Sequence, residues 1–396
     1  MKSKKIANNG SKHQSKKHIK PKLLIVADTY EPKVDGTYIF MKEFIKRTTN
    51  DFDISLLVPR YRNQKDTKHL HFVDVSKRFV LSGYSNVAIS FRNLRKTIKA
   101  IKENEIIFIQ GPALLSFFSM FLGRRYKKKV VSYLHVLGWE LFEKFLPIKF
   151  FDFFLRMTRR MSMWFYNFND IVCIPYAGVR RELVKSGLNC RAEVANLGVD
   201  IKRFSPSTHK AKSKTAIGIA EHIQVIGYCG RVSKEKNVLT LLEGFKKLRG
   251  QSDLVLLIVG DGDPEIMDEL RRQSNCVCTG FVDDVEKYMQ AMDIFVMPSL
   301  TETTSLATLE AMSCGLPVIS SKVGFIASYL EKGFNGEFFP RENSTMLSIK
   351  IEKFLREPLY AGGLGHNARR KVAYSFSWDR SVKKISRILK KVLGET

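Results

Sequence analysis

Short uncharged apolar runs alternate with amphipathic stretches along most of the chain. Leu23 to Ala27, Ile54 to Val58, Ile106 to Ile109, Val130 to Leu134 and Ile171 to Ile174 read as strands buried on both faces. Helical spacing of apolar residues appears between them, over Thr37 to Arg47, Phe91 to Glu103 and Val179 to Ser186. The alternation resumes with strands at Gln224 to Tyr228, Leu254 to Val259, Cys276 to Thr279 and Ile294 to Met297, and with a helix from Val238 to about Leu248. Strand and helix repeated in this order predict an α/β chain built on parallel sheets. At 396 residues it is long enough for two domains of ordinary size. Residues 207–216, rich in Ser, Lys and Thr, read as a linker, and an amphipathic, lysine-rich helix follows Phe376-Ser377-Trp378 to about Leu393.

One stretch, Pro298 to Pro317, organises the second half. The strand Ile294–Met297 runs into a polar turn, and Thr303 or Thr304 is expected to cap the helix that follows. Gly315 ends that helix and Pro317 prevents its continuation. The first backbone N–H groups, on Ser305, Leu306 and Ala307, then have no helical partner and form an anion site. Glu302 before the helix and Glu310 two turns along it can each accept hydrogen bonds from vicinal hydroxyls. Phosphate donors between two hydroxyl-reading carboxylates fit a nucleotide-sugar. Upstream, Gly230-Arg231-Val232-Ser233-Lys234-Glu235-Lys236 follows a strand and delivers two cations to one place. A guanidinium grips phosphate with paired bonds and an ammonium acts as a point charge. In the first half, Leu23–Ala27 leads through a loop holding Asp35-Gly36 into a helix, the opening of a Rossmann-like unit. His135 stands at the carboxyl end of a strand, where ligands of open α/β sheets sit.

The spacing Glu302-x7-Glu310, followed by Ala-Met-x-Cys-Gly-Leu-Pro-Val, closely resembles the signature of the family 4 retaining glycosyltransferases of GT-B fold. That resemblance implies two facing Rossmann-like domains and a C-terminal helix that crosses back to brace the first. It also implies roles: Arg231 and Lys236 on the diphosphate, Glu310 on the ribose, Glu302 and His135 on the sugar. Gly36, Gly230, Gly260, Thr304, Ser305 and Leu306 would lie against the donor, and the backbone around Val282 against the base. The segment Val194 to Asp200 resembles the family's hinge. Two departures stand out: Asp35-Gly36 replaces two adjacent glycines, and Thr304-Ser305 replaces an aromatic-plus-glycine turn.

A metal is a rival source of positive charge, because Asp261-Gly262-Asp263 follows an apolar strand as metal-holding acidic pairs do. Pro264 makes Asp263 a natural helix cap instead, and Arg231 and Lys236 already supply the charge, so neither metal nor other cofactor is expected. Cys276-Val277-Cys278 is too tight for a zinc pair, and six scattered cysteines fit reduced thiols in a cytoplasmic protein.

Charge changes the picture in the first half. Residues 1–200 hold 37 Lys+Arg against 17 Asp+Glu, and the remainder 29 against 22. A partner with an acidic surface is implied, membrane or nucleic acid. No helix-turn-helix, zinc finger or RNA-binding motif accompanies the charge, so nucleic acid is not expected. Residues 1–20 form a basic tail whose composition predicts disorder. Residues 139–168 interleave aromatics with Lys and Arg, as a helix in a membrane interface does, though packing against the first sheet produces the same pattern. The longest uncharged apolar stretch, Gly111 to Gly123, is too short to span a bilayer, which takes about 20 residues. The expected organisation is a tail (1–20), a first domain on the acceptor side (21–200), a donor domain (201–375) and a bracing helix (376–396). The expected activity is hexose transfer from a nucleoside-diphosphate sugar to a lipid or lipid-linked acceptor at the cytoplasmic face of an anionic membrane. A soluble acceptor, or a nucleotide-sugar epimerase of the same architecture, is the alternative.

Overall fold

The computed structural model describes residues 20–32, 35–81, 84–111, 113–135, 151–248 and 251–394. Residues 1–19 of the basic tail and residues 139–150 of the aromatic segment lie outside the described residues.

Two α/β lobes are present, each with a mainly parallel sheet, as the resemblance implies. In the first lobe the strands are β1 (Lys22–Ala27), β2 (Asp53–Arg60), β3 (Leu70–Leu81), β4 (Tyr84–Val87), β5 (Ile106–Gln110), β6 (Lys129–Tyr133), β7 (Ile171–Ile174) and β8 (Arg191–Val194). They lie in the order β4-β3-β2-β1-β5-β6-β7-β8, parallel except for the antiparallel β3/β4 pair. Strands as apolar as KLLIVA and IIFIQ are covered on both faces, by α1 (Gly36–Thr48) on one side and by α2 (Phe91–Glu103), α3 (Leu114–Arg125) and α4 (Phe151–Tyr166) on the other. Helix α5 (Ala177–Lys185) joins β7 to β8.

The second lobe contains β9 (Gln224–Cys229), β10 (Leu254–Val259), β11 (Cys276–Cys278), β12 (Ile294–Met297), β13 (Val318–Ser321) and β14 (Glu337–Phe339), all parallel, in the order β11-β10-β9-β12-β13-β14. Before it comes α6 (Lys210–Thr215), where sequence composition predicts only a linker. The helix forms because Lys214 is buried and paired with Asp293 at 2.8 Å, while also donating to the Ile223 carbonyl. Composition does not reveal that partner, 79 positions away. The remaining helices are α7 (Val238–Lys246), α8 (Pro264–Arg271), α9 (Val285–Ala291), α10 (Leu306–Ser313), α11 (Ile326–Tyr329), α12 (Ser344–Arg356), α13 (Pro358–Ser375) and α14 (Trp378–Leu393). As expected, Asp263 caps α8 and accepts from Glu265 N.

Helix α14 leaves the second lobe and packs on the first. Trp378, Val382, Ile385, Ile388 and Leu389 form one apolar stripe and join the core around Phe40, Phe44 and Phe108. Lys390 and Ser386 reach Asp51, and Arg47 reaches Asp379. At the crossing, Val199 N donates to Phe376 O at 2.7 Å and Trp378 N to Val199 O at 3.2 Å. A Cβ on Gly198 would lie 2.6 Å from Trp378 Cα, so only glycine lets the two strands of chain pass this closely.

In both sheets the strand order reverses at one point, between β1 and β5 and between β9 and β12. Ligands of such sheets sit beyond the carboxyl ends at that reversal. There, the buried Asp28 accepts from Ala113 N at 3.1 Å and from Ser116 Oγ at 2.5 Å, tying the end of β1 to the start of α3. Among the described residues no helix is long and apolar enough to cross a membrane.

Trp378→Ala removes the largest side chain of the α14 contact. The expected cost, read by chemical denaturation, is roughly 3–5 kcal/mol; a loss under about 1 kcal/mol, typical of a surface substitution, would show that α14 is not docked in solution.

Candidate functional site

The ends of β9 and β12 carry the loops that the sequence pattern selects. Arg231 leaves β9 through Gly230 and is exposed, with its guanidinium 2.9 Å from Glu235. Lys236 reaches Glu302 at 2.6 Å, and Glu302, itself partly buried, also accepts from Ser299 Oγ at 2.7 Å. The two loops are stitched by Leu300 N donating to Glu235 O at 2.9 Å and by Asn237 Nδ2 donating to Pro298 O at 3.4 Å. Each cation thus has a carboxylate beside it, which spacing along the chain does not reveal.

Helix α10 starts one residue later than predicted. Ser305, not Thr303 or Thr304, is the cap: its backbone is left-handed, with φ 53°, and its hydroxyl accepts from Thr308 N. A non-glycine residue in this region is strained by about 1–3 kcal/mol and persists only where its surroundings enforce it. They do so here through Thr304 O, which accepts from Tyr329 Oη at 2.5 Å, and Thr303 O, which accepts from Phe325 N at 2.9 Å. Gly324 completes the clamp, since a Cβ there would lie 1.6 Å from Glu302 O. Thr308 N is used by the cap, so the first-turn N–H groups of Leu306 and Ala307 remain for an anion.

The first lobe meets this loop. Asp35 caps α1, accepting from Tyr38 N at 2.9 Å and from Thr29 Oγ1 at 3.2 Å, and burial raises its pKa while Arg231 across the cleft lowers it. A Cβ on Gly36 would lie 3.6 Å from Leu306 Cδ1. The positive ends of α1 and α10 therefore lie close together where the lobes meet, with Arg231 near Asp35. Across the same cleft Phe325 packs on Tyr176, ring centres 3.9 Å apart.

His135 is buried between Phe40 and Tyr133, and burial lowers its pKa to about 3, so the ring is neutral at physiological pH. Its Nε2 lies 2.8 Å from Gln110 Oε1, which can only accept, so the proton sits on Nε2 and Nδ1 is left to accept. Gln110 Nε2, Ser233 Oγ and Thr304 Oγ1 are buried without a hydrogen-bond partner among the described residues. The sequence pattern does not single out Gln110 or Ser233 as site residues. Neither belongs to a residue type that marks a site, and only strand order sets Gln110 beside His135.

On the far side of β9, Gly230 N donates to Val259 O, and Gly260 bridges Gly280, so three strand ends line up and bring the turn containing Val282 next to Gly260. Glu310 lies within α10, and burial raises its pKa to about 7, opposed by Arg203. Arg203 is itself held by Glu286 at 2.8 Å. Among the described residues no group of three or more His, Cys, Asp or Glu side chains is placed to hold a metal ion.

Two family models match side by side and together span most of the chain: Glycosyltransferase Family 4 over residues 34–203 and glycosyl transferases group 1 over residues 223–357. A capsular polysaccharide biosynthesis glycosyltransferase of Staphylococcus aureus is 23% identical over 89% of this chain and 94% of its own. A UDP-Gal:alpha-D-GlcNAc-diphosphoundecaprenol alpha-1,3-galactosyltransferase of Escherichia coli is 30% identical over 48% of this chain and 51% of its own. The chain likewise spans only 48% and 61% of the length of relatives from Methanocaldococcus jannaschii and Arabidopsis thaliana. Among solved structures, the Anabaena protein HepE in complex with UDP-glucose superposes with a TM-score of 0.73 at 18% identity, over 93% of this chain and 99% of that one, a likeness of fold.

Glu310 yields a pH test. Its folded pKa lies above the ordinary 4.5, so the protonated folded form is fully favoured below pH 4.5 and that advantage is lost as pH rises through 7. A tenfold difference in proton affinity between folded and unfolded chain is worth about 1.4 kcal/mol. Glu310→Gln should therefore raise the unfolding free energy by about 1–3 kcal/mol at pH 8 and by little at pH 4. Equal effects at both pH values in urea titrations would show that the carboxyl is well solvated.

Proposed function

This chain belongs to the group 1 glycosyltransferases of family 4, and we propose that it moves a hexose from a nucleoside-diphosphate sugar to a hydroxyl of a lipid or lipid-linked acceptor, with retention at the anomeric carbon and without a metal. The observation that carries this reading is the convergence of two helix starts, Gly36 and Leu306, with Arg231 and the Lys236–Glu302 pair around one cleft.

In this reading the diphosphate lies on the N–H groups of Leu306 and Ala307, with Ser233 Oγ and Thr304 Oγ1 as further partners. As the glycosidic bond loosens, negative charge gathers on the leaving diphosphate. Arg231, Lys236 and the two helix ends are fixed where that charge develops, and preorganised positive groups of this kind contribute most of a rate enhancement. Phosphate competes with Glu302 for Lys236, which frees the carboxylate to accept from sugar hydroxyls. Glu310 takes the ribose diol, and the turn at Val282 takes the base through its backbone. Neutral His135 accepts at Nδ1 while Gln110 Nε2 donates, a pair suited to the sugar or the incoming hydroxyl. The leaving phosphate accepts the acceptor's proton.

A lipid-linked acceptor is supported by the basic excess of the first half and by a relative whose name specifies a diphosphoundecaprenol substrate. The reaction would then run at the cytoplasmic face of the membrane.

Arg231→Ala and Glu310→Ala should each slow turnover of the cognate nucleotide-sugar about 10²–10³-fold, with the melting curve showing a folded protein. Chelator should leave the wild-type rate unchanged. Wild-type rates in both variants would refute the donor assignment. Conversion of the donor to an epimer with no acceptor present would replace transfer by epimerisation.

A further inference from the structure

Helices α3 and α4 lie side by side on the outer face of the first lobe. Phe117 stacks on Phe165 with ring centres 4.7 Å apart, and Phe121 meets Phe168, in the turn after α4, at 5.8 Å. Each turns an apolar stripe outward at i, i+4, i+7: Leu114, Phe118 and Phe121 on α3, and Met157, Met161 and Trp164 on α4. Leu114, Met157, Met161 and Trp164 are each about half exposed, at 50%, 48%, 48% and 54%. At the cleft end Ile89 and Phe91, at the start of α2, are 98% and 74% exposed. Isolated exposed apolar side chains are common, but two such stripes on helices that meet at Phe117 and Phe165 extend one apolar surface.

The patch has a basic border. Arg124 and Arg125 close α3, and Lys127 and Lys129 are exposed after it. Arg124, Lys127, Lys128, Lys129 and Asp170 line a hollow of about 180 Å³. Arg156 and Arg160 are exposed on α4 between its apolar positions. Of the acidic side chains, only Asp170 lines that hollow, and it also accepts from Val130 N.

We propose that the outer face of α3 and α4 is a docking surface for an anionic lipid bilayer, with the six apolar side chains in the headgroup–acyl boundary and the Arg124–Lys129 cluster on lipid phosphates. Charge complementarity selects this occupant: an apolar stripe edged by cations, with Asp170 the one carboxylate lining the basic hollow among the described residues, matches a negatively charged leaflet. Helix α3 is essential to the surface, since the aromatic segment of α4 supplies only half of it. The choice of occupant rests on the reading of a lipid acceptor, while the surface rests on its own geometry.

The test uses the full chain and vesicles of phosphatidylcholine alone or mixed with phosphatidylglycerol. Wild type should float with the mixed vesicles and much less with the neutral ones. Leu114→Ser/Met157→Ser/Met161→Ser/Trp164→Ser, all exposed positions, should melt like wild type and bind mixed vesicles at least about tenfold more weakly. Arg124→Gln/Lys127→Gln/Lys128→Gln should lose the preference for phosphatidylglycerol while keeping residual binding. Equal flotation of the apolar variant and wild type would overturn the proposal, as would absence of wild-type flotation. So would a wild-type dimer that the apolar substitutions convert to monomer without changing flotation, because a second copy would then cover the face. UDP- and GDP-sugar thermal shifts on the same samples keep the two readings apart: lost flotation with donor binding intact sinks only the docking surface, and flotation without donor binding sinks only the transferase site.

Discussion

Everything about the cleft depends on how the chain passes twice between the lobes. The outward passage at Val199 and the return at Phe376–Trp378 are hydrogen-bonded to each other, and Gly198 allows them to touch. Two adjacent crossings fix the hinge at one edge and leave the carboxyl ends of both sheets free to face each other. The buried stripe of α14 then anchors the return strand in the first lobe's core, so the crossing is held by apolar packing as well as by two backbone bonds.

Within that frame the site is a problem in placing like charges. The starts of α1 and α10, Arg231 and Lys236 all bring positive potential to one volume, which would repel itself if nothing answered it. Asp35, Glu235 and Glu302 answer it, each from a neighbouring position on the same or the facing loop. For the Lys236–Glu302 pair the pairing matters most, because that pair is partly buried and an unpaired charge there would be costly. The left-handed Ser305, clamped by Tyr329, Phe325 and Gly324, follows the same logic: local strain is tolerated because the groups around it leave no alternative.

Much of this was legible in the sequence. Continuous apolar runs marked β1, β5, β9 and β12 because strands covered on both sides cannot carry charge, and the spacing of Glu302 and Glu310 marked the turn between strand and helix. What stayed hidden depends on partners distant in sequence. Lys214 turns a linker-like composition into a helix by finding Asp293, and Lys236 finds Glu302. The cap of α10 moved to Ser305 because tertiary clamps override the usual preference for extended backbone at that position. Gly111 to Gly123 is too short for a bilayer's thickness, and most of it is the outward-striped helix α3. Gln110 stayed hidden because no local pattern sets an amide apart from any other polar strand end.

The buried carboxylate of Asp28 has one more implication. It grips the first backbone groups of α3 from the end of β1, so the loop that opens the cleft and the helix on the lobe's outer face share a single rigid joint. The 12 residues of α3 extend about 18 Å from that joint, at 1.5 Å per residue. The joint works as a fixed spacer: the mouth of the cleft and the outer face of the lobe keep one separation, because the same carboxylate holds both.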